Sequence, residues 1–418
     1  MTLNAATIPP LITNIVRLME TKCIRLDSHT PPNWRAMFAN ALHELTACER
    51  HQHFEERVNR ILARGGLSHV AFFHDSAARA PSRYAICATC CVATPSTVPR
   101  WIFQDVHEGG PAHNAGVRAG DALIAVDGSP VSPPILPTFR LGNDTVLTIE
   151  NHSHGVQQVT AVLPRPDPNG KGKGKPPMAE PTSVTSRRIG EGIGYVRVAF
   201  FPGANGERFA RDLRRTLDQL AGCTRLIVDL RGNVGGFVGS LRLMSYLTPG
   251  RMPIGYSMTR RGEDRRWRRE QLPCIDTLPN TKAQMLTMAI RFLVLNRDRS
   301  VRLMTEGLGA QPFHGRTVIL INEHTASAAE MVVAFAAENQ LAPLVGTTTA
   351  GQVLGGANFA VGQGFVLRLP AAGWYTWQGN IVEGRGVSPT VEVPLHIEAL
   401  QQGKDNQFEQ ALNIVRGL

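Results

Sequence analysis

The stretch Thr317-Val-Ile-Leu-Ile-Asn-Glu-His-Thr-Ala-Ser327-Ala-Ala-Glu330 carries the most information in this chain. An apolar, β-branched run ends in a polar turn, and the pattern predicts a buried strand followed by a helix that begins at Ala328. Ser327 stands between small residues at that junction. A hydroxyl there sits at a helix N-terminus, where unsatisfied N–H groups and the positive end of the helix dipole favour a developing oxyanion. Small neighbours let a substrate carbonyl come close. The plainer reading makes Ser327 an N-cap, the ordinary role of a serine before a helix.

A second segment, Leu226-Ile-Val-Asp-Leu-Arg-Gly-Asn-Val-Gly-Gly236, is another buried-type strand, and it runs into a glycine-rich turn. Gly235 and Gly236 can bring bare backbone N–H groups against a ligand. The turn lacks the Lys-Ser/Thr of a phosphate-binding loop, which argues against a nucleotide site. Asp229, Arg231 and Asn233 are expected to stitch the turn together.

With Val345-Gly-Thr-Thr-Thr-Ala-Gly351 and Val382-Glu-Gly-Arg-Gly-Val-Ser-Pro389, the segments Asp229–Gly236 and Thr325–Glu330 form four motifs in one order. In this they resemble the C-terminal processing peptidases, also called tail-specific proteases. The resemblance covers about residues 190–395, and more loosely the N-terminal region. It implies a multi-domain α/β protein with a crotonase-like serine peptidase core and Ser327 as nucleophile. The N–H groups of Gly235 or Gly236 and of Ala328 would bind the oxyanion.

One position departs from the family. Many members use a Ser–Lys dyad, with the Lys directly after the Gly of the Thr-x-Gly motif; here that residue is Gln352. An amide cannot take a proton from Ser. The lysines are Lys22, Lys171, Lys173, Lys175, Lys282 and Lys404, and none falls in a family motif. The choice lies between an inactive scaffold and another base, and histidine is the usual base near neutral pH. Other members resemble tricorn-type enzymes and use Ser–His–Glu with the His far upstream. Gly65-Gly-Leu-Ser-His-Val-Ala-Phe72 stands at the matching place. His69 is therefore the candidate base and Glu383 the candidate orienting acid. Left to itself, His69 would read as a strand-edge histidine satisfying a local hydrogen bond. His324, His314 and His74 are the rivals. Glu330 reads as capping and dipole support.

Gly109-Gly-Pro-Ala-His-Asn-Ala-Gly-Val-Arg-Ala-Gly-Asp-Ala-Leu-Ile-Ala-Val-Asp-Gly128 resembles part of a PDZ domain, with a strand over Ala122–Val126 and a hairpin turn at Asp127-Gly128. Such a domain binds a peptide C-terminus by strand addition. The capturing loop should precede a strand near Tyr84–Val92, and no Gly-Leu-Gly-Phe-like sequence is visible there, so a structural or gating role stands beside capture. Along the chain, residues 1–80 read as a helical N-terminal region, broken at Asp27-Ser-His-Thr-Pro-Pro. Residues 83–165 read as the inserted PDZ-like, β-rich domain and 164–187 as a flexible linker. Residues 188–397 form the peptidase core, and 398–418 a C-terminal helix.

A chain of 418 residues suits two or three domains. No run of about 18 apolar residues suggests a membrane span. The first residues show no signal-peptide pattern, so the expected location is cytoplasmic. Seven cysteines, odd and scattered, argue against a disulfide framework. Cys87-Ala-Thr-Cys90-Cys91 has no second pair at zinc spacing and reads as packing within a strand that includes Tyr84-Ala-Ile. The net charge of +10 is mostly arginine, concentrated in Arg260-Arg-Gly-Glu-Asp-Arg-Arg-Trp-Arg-Arg269. The acids within that run favour a solvated loop over a nucleic-acid surface. The expected partner is a peptide or protein substrate, taken by its C-terminus or internally. No nucleic acid, membrane, metal or cofactor is required, and homo-oligomerisation stays open. The competing function is a peptide- or ligand-binding protein on an inactivated peptidase scaffold, and a third is a core that holds a small acyl ligand.

Overall fold

The computed structural model describes all residues except 1–2, 4–5, 27–31, 76–78, 94–98, 167–175, 191, 204–205, 237, 280–281 and 291–299. The chain divides into two compact units, each assembled from three separate stretches. The first comprises Met1–Ala77, Pro253–Met304 and Gly351–Gly386, and the second Ala78–Met252, Thr305–Ala350 and Val387–Leu418.

In the first unit, helix Ile8–Lys22 starts on a proline pair that suits the first helical turn, where no N–H acceptor is needed. Its apolar positions Ile8, Leu11, Ile15, Leu18 and Met19 fall on one buried face. Helices Trp34–Asn40, Leu42–Thr46 and His51–Ala63 add Trp34, Phe38, Leu45, Phe54 and Val58 to the same core. Of the expected chain break at residues 27–32, residues 27–31 lie outside the described residues. The region is not helical throughout, because Ala71–His74 is a strand. It pairs antiparallel with Phe365–Thr376, which also pairs with Pro253–Thr259 and Gly355–Gly362. Phe72 and Phe365 stack at 4.9 Å, with Phe54 edge-on to both. The Arg-rich run forms the short helix Arg260–Asp264 and a following turn, in which Arg265 lies over Trp267.

The second unit holds two large sheets. One has the order Ala88–Ala93, Arg100–Val106, Ala122–Val126, Thr145–Asn151, Gly155–Ala161, all antiparallel. The strand at Ala122–Val126 and the turn at Asp127-Gly128, both residues at positive φ, stand where the sequence puts them. Tyr84-Ala-Ile was expected to be strand, and it is not. Pro81 opens a helical turn over Ser82–Ala85, Ile86 N bonds Ser82 O, and Cys87 sits at φ 56 before the strand begins at Ala88. The stretch between Ser129–Pro130 and Thr138–Arg140 forms no helix. Cys87 and Cys90 are buried, and burial pushes the thiols of Cys87, Cys90 and Cys91 up to about 12. They are packing groups, not nucleophiles.

The other sheet runs Val184–Gly190, Ile193–Val198, Arg225–Asp229, Thr317–Ile321, Leu344–Gly346, Val391–Glu392. Only its first pair is antiparallel. Strand Val184–Gly190 begins inside the stretch expected to be linker, of which 167–175 lie outside the described residues. Parallel strands are covered on both faces and read as continuous apolar runs. Thr317–Ile321 is buried at every position. Helix Asn406–Gly417 covers one face through Ala411 and Val415, and helix Ala328–Glu338 packs with Ser240–Leu247. The C-terminal region holds two helices, Ile397–Gln401 and Asn406–Gly417, where one was expected. Among the described residues no helix is long and apolar enough to cross a membrane.

Candidate active site

Asp229 lies opposite Leu320 in neighbouring parallel strands. Their carboxyl ends therefore open side by side, where ligands gather in parallel sheets. Two loops leave there, Leu230–Gly236 and Asn322–Ser327, and they are laced together. Thr325 Oγ1 donates to Leu230 O at 2.9 Å, and Ala326 N donates to Asn233 O at 2.8 Å. Ser327 follows at φ 57 and ψ −123, directly before helix Ala328–Glu338. A non-glycine residue held there costs of order 1–3 kcal/mol and persists only where its surroundings over-determine it. The turn holds the half-buried Ser327 between buried Ala326 and Ala328.

Gly235 backs onto this turn at φ 93, and a Cβ on it would stand 2.6 Å from Ser327 Cβ. Its N–H donates to Asn233 Oδ1 at 2.8 Å. Gly235 therefore gives Ser327 room, while its donor is taken within its own turn. The N–H groups of Gly236 and Ala328 have no acceptor among the described residues. They are the two expected oxyanion donors left to serve a ligand.

Glu330, fully buried, reaches back so that its carboxylate accepts the Ser327 N–H at 3.2 Å. It also accepts from Thr349 Oγ1 at 2.6 Å, and Thr349 in turn accepts Val387 N at 2.8 Å. The Thr-Thr-Thr motif thus braces the serine turn from behind. On the neighbouring strand, Arg231 binds Asp229 through Nε and Nη2, then reaches Asp405 and Gln407 beside the C-terminal helix. Burial pushes the Asp229 carboxyl up, but the Arg231 and Arg197 guanidiniums outweigh it and hold the group well below the usual range.

The first unit holds the other candidates. His69 sits at φ 59. The Ser68 hydroxyl lies between it and Glu383, 2.8 Å from His69 Nδ1 and donating to Glu383 Oε2 at 3.0 Å. Glu383, buried, also accepts Ser68 N at 2.7 Å and Val353 N at 2.9 Å. A hydroxyl has one proton. With that proton on the carboxylate, Ser68 Oγ accepts from Nδ1–H, which leaves Nε2 as the unprotonated, basic nitrogen. Ser68 joins the candidate residues here; in the sequence its only signal is its place beside His69. Gln352 belongs to this unit as well. Two rival histidines are used elsewhere: His74 Nε2 meets Gln363 O at 3.0 Å and His314 Nε2 meets Tyr246 O at 3.0 Å.

A buried polar cluster joins the PDZ-like sheet to the loop of Gly232. Asp105 accepts from Thr89 Oγ1, Asn322 Nδ2 and Arg197 Nη2 at 2.7, 2.9 and 3.3 Å. His107 Nε2 lies 3.0 Å from Gly232 O. Burial, then the Arg197 charge, pushes His107 down to about 4, against the pull of Asp105 and Asp229. The folded protein therefore keeps this ring neutral while the unfolded chain protonates it below its ordinary 6.5. Stability is unaffected above that pH and is lost as pH falls from 6.5 to about 4, by roughly 3 kcal/mol. Urea denaturation at pH 7, 5.5 and 4.5 should show this loss, and His107→Gln should remove it. An equal decline in both proteins refutes the assignment.

Comparison with known proteins agrees with this architecture. Residues 192–393 match the model of peptidase family S41, and residues 102–135 match that of the PDZ domain. The chain is 24% identical to the carboxy-terminal processing protease CtpA of Bacillus subtilis, over 69% of this chain and 52% of that protein. It is 24% identical to the carboxyl-terminal-processing protease of Synechocystis sp., over 74% and 63%, and 25% identical to tricorn protease homolog 1 of Streptomyces coelicolor, over 72% and 24%. In fold it is similar to the photosystem II D1 C-terminal processing protease, with a TM-score of 0.55, 16% identity and coverage of 95% and 97%. Mature CPAF complexed with lactacystin gives a TM-score of 0.54 at 15% identity, over 97% of each chain. The chain thus carries a region of peptidase family S41 together with a PDZ-domain region. It is homologous both to C-terminal processing proteases and to tricorn homologs, and it spans between 22% and 64% of the length of the curated relatives it matches.

Proposed function

We propose that this chain is a serine endopeptidase that cleaves peptide bonds by acyl transfer through Ser327, His69 and Glu383. The observation that carries the reading is Ser327 itself, strained at a helix N-terminus with the Ala328 N–H and, from the adjoining loop, the Gly236 N–H without acceptors among the described residues. Ser327 Oγ attacks the carbonyl carbon and its proton passes to His69 Nε2. The carbonyl oxygen becomes an oxyanion that accepts from Ala328 and Gly236; loss of one such donor costs about 3 kcal/mol in the barrier. Collapse breaks the C–N bond, and the leaving amine takes the proton from His69. Water then attacks the acyl-enzyme, with His69 again receiving and returning the proton. Glu383, through Ser68, fixes the ring tautomer and stabilises the imidazolium. Strand Ala88–Ala93, at the edge of its sheet, is where a substrate's C-terminal segment would add as a further strand.

A fluorophosphonate probe tests the reading. The label should map to Ser327 and vanish in His69→Ala. Absence of label in folded wild-type protein would favour the second reading, a peptide-binding module on an inactive scaffold, which Gln352 in the place of the dyad lysine motivates.

A further inference from the structure

We infer that Asp105, in strand Arg100–Val106 of the PDZ-like sheet, and His107, just past its end, are positioning residues that clamp the Gly232 turn and thereby set the oxyanion loop beside Ser327. Gly232 is held on three sides. Its carbonyl faces His107 Nε2 at 3.0 Å, and its N–H donates to Asn322 Oδ1 at 3.0 Å. At φ 73 its Cα lies so close to Asp105 that a Cβ would meet Asp105 Cβ at 2.7 Å and Cγ at 2.8 Å. Asp105 is fixed in turn by Thr89 and by Asn322 Nδ2, so one asparagine binds both the carboxylate and the turn. Burial pulls Asp105 upward, but the neighbouring cationic groups, Arg197 foremost, outweigh it, so the anion is the stable form.

The bonds run on toward the nucleophile. Asn233 follows Gly232 and donates through Nδ2 to Val198 O at 2.9 Å. Its Oδ1 accepts Gly235 N, and its carbonyl accepts Ala326 N. Every link from His107 to Ser327 is a short hydrogen bond or a covalent neighbour. A shift of Gly232 by a fraction of an ångström therefore moves the Gly236 donor relative to the helix N-terminus. A buried polar network fixes an arrangement through the bonds it makes; those to Gly232 and Gly235 and those of the Asn233 side chain are made here, while His107 Nδ1 and Arg197 Nε have no partner among the described residues. The clamp also starts at strand Ala88–Ala93, through Thr89, which lies on the edge where a peptide would add.

This inference rests on the peptidase reading for its kinetic consequence but not for its structural content, and the test separates the two. His107→Leu removes the donor to Gly232 O, whereas His107→Gln places an amide N–H near the same point. With active sites counted by fluorophosphonate titration, His107→Leu should lower kcat about 10- to 100-fold with KM within twofold. His107→Gln should recover most of the loss. A residue that only stabilised the fold would lower the titrated fraction and leave kcat per site unchanged, and that result overturns the proposal. Hydrogen exchange on the wild-type protein supplies a reading that needs neither activity nor a variant. The amides of Gly232, Asn233 and Gly235 should be protected as well as those of strand Thr317–Ile321. Exchange at the rate of an open loop overturns the clamp. If the wild-type protein takes no label and cleaves nothing, the peptidase reading fails while this exchange result still decides the clamp.

Discussion

Ser327→Ala should lower peptide hydrolysis by about 10⁴-fold or more, the loss typical of removing a nucleophile that acts with a base as a unit. KM should stay within a few-fold, because the remaining donors and the binding surface are intact. Stability should hardly change. Alanine carries the same Cβ at φ 57, so the backbone strain is equal in both proteins. Gly235 still faces a Cβ at the same place, and the Glu330 carboxylate still accepts the N–H of residue 327. Turnover by purified protein, with thermal melting as control, checks this. Residual hydrolysis above one-hundredth of wild type would move the nucleophile to another residue.

Glu383→Gln should cost nearly as much, about 10³- to 10⁴-fold in kcat. The wild-type carboxylate accepts three donors: Ser68 N on one oxygen, and Ser68 Oγ and Val353 N on the other. An amide has only one acceptor oxygen, so one side must present an NH₂ to a donor. If the NH₂ faces Ser68 Oγ, that hydroxyl turns its proton toward His69 Nδ1. The ring proton then moves to Nε2, the nitrogen needed as base. Ser68→Ala should show a smaller loss of the same kind, since the carboxylate remains while the ring loses its tether. Steady-state kinetics of both variants, with imidazole NMR reporting the tautomer, is the measurement. Wild-type kcat in Glu383→Gln would remove Glu383 from the mechanism.

The parts of this fold that were legible share one property: local pattern and tertiary role agree. Residues 318–321 and 226–228 are continuous apolar runs because both faces of a parallel sheet are covered. Ser327 was visible because its small neighbours and the helix start lie within a few residues of it. Tyr84-Ala-Ile misled because its apolar content suits a strand, whereas Pro81 and the left-handed Cys87 impose a turn. Asp105 and His107 gave no signal. Their partners, Asn322 and Gly232, lie 217 and 125 residues away, and a polar residue in or just past a strand reads as solvent-facing until its partner is known. The Asp229, Arg231 and Asn233 stitching was expected; the reach of Arg231 to Asp405, 174 residues on, was not.

Strand Phe365–Thr376 has a consequence for biosynthesis. It is the middle of the first unit's sheet, yet its partner Ala71–His74 leaves the ribosome almost 300 residues earlier. At roughly 5–20 residues per second, the N-terminal helices wait about 15–60 s for Phe365, Leu367 and Leu369 to arrive and complete their core. During that wait an apolar helical face and an unpaired strand are both uncovered, the two features most prone to premature association. A nascent chain arrested before residue 365 should therefore be a stronger chaperone client than the finished protein.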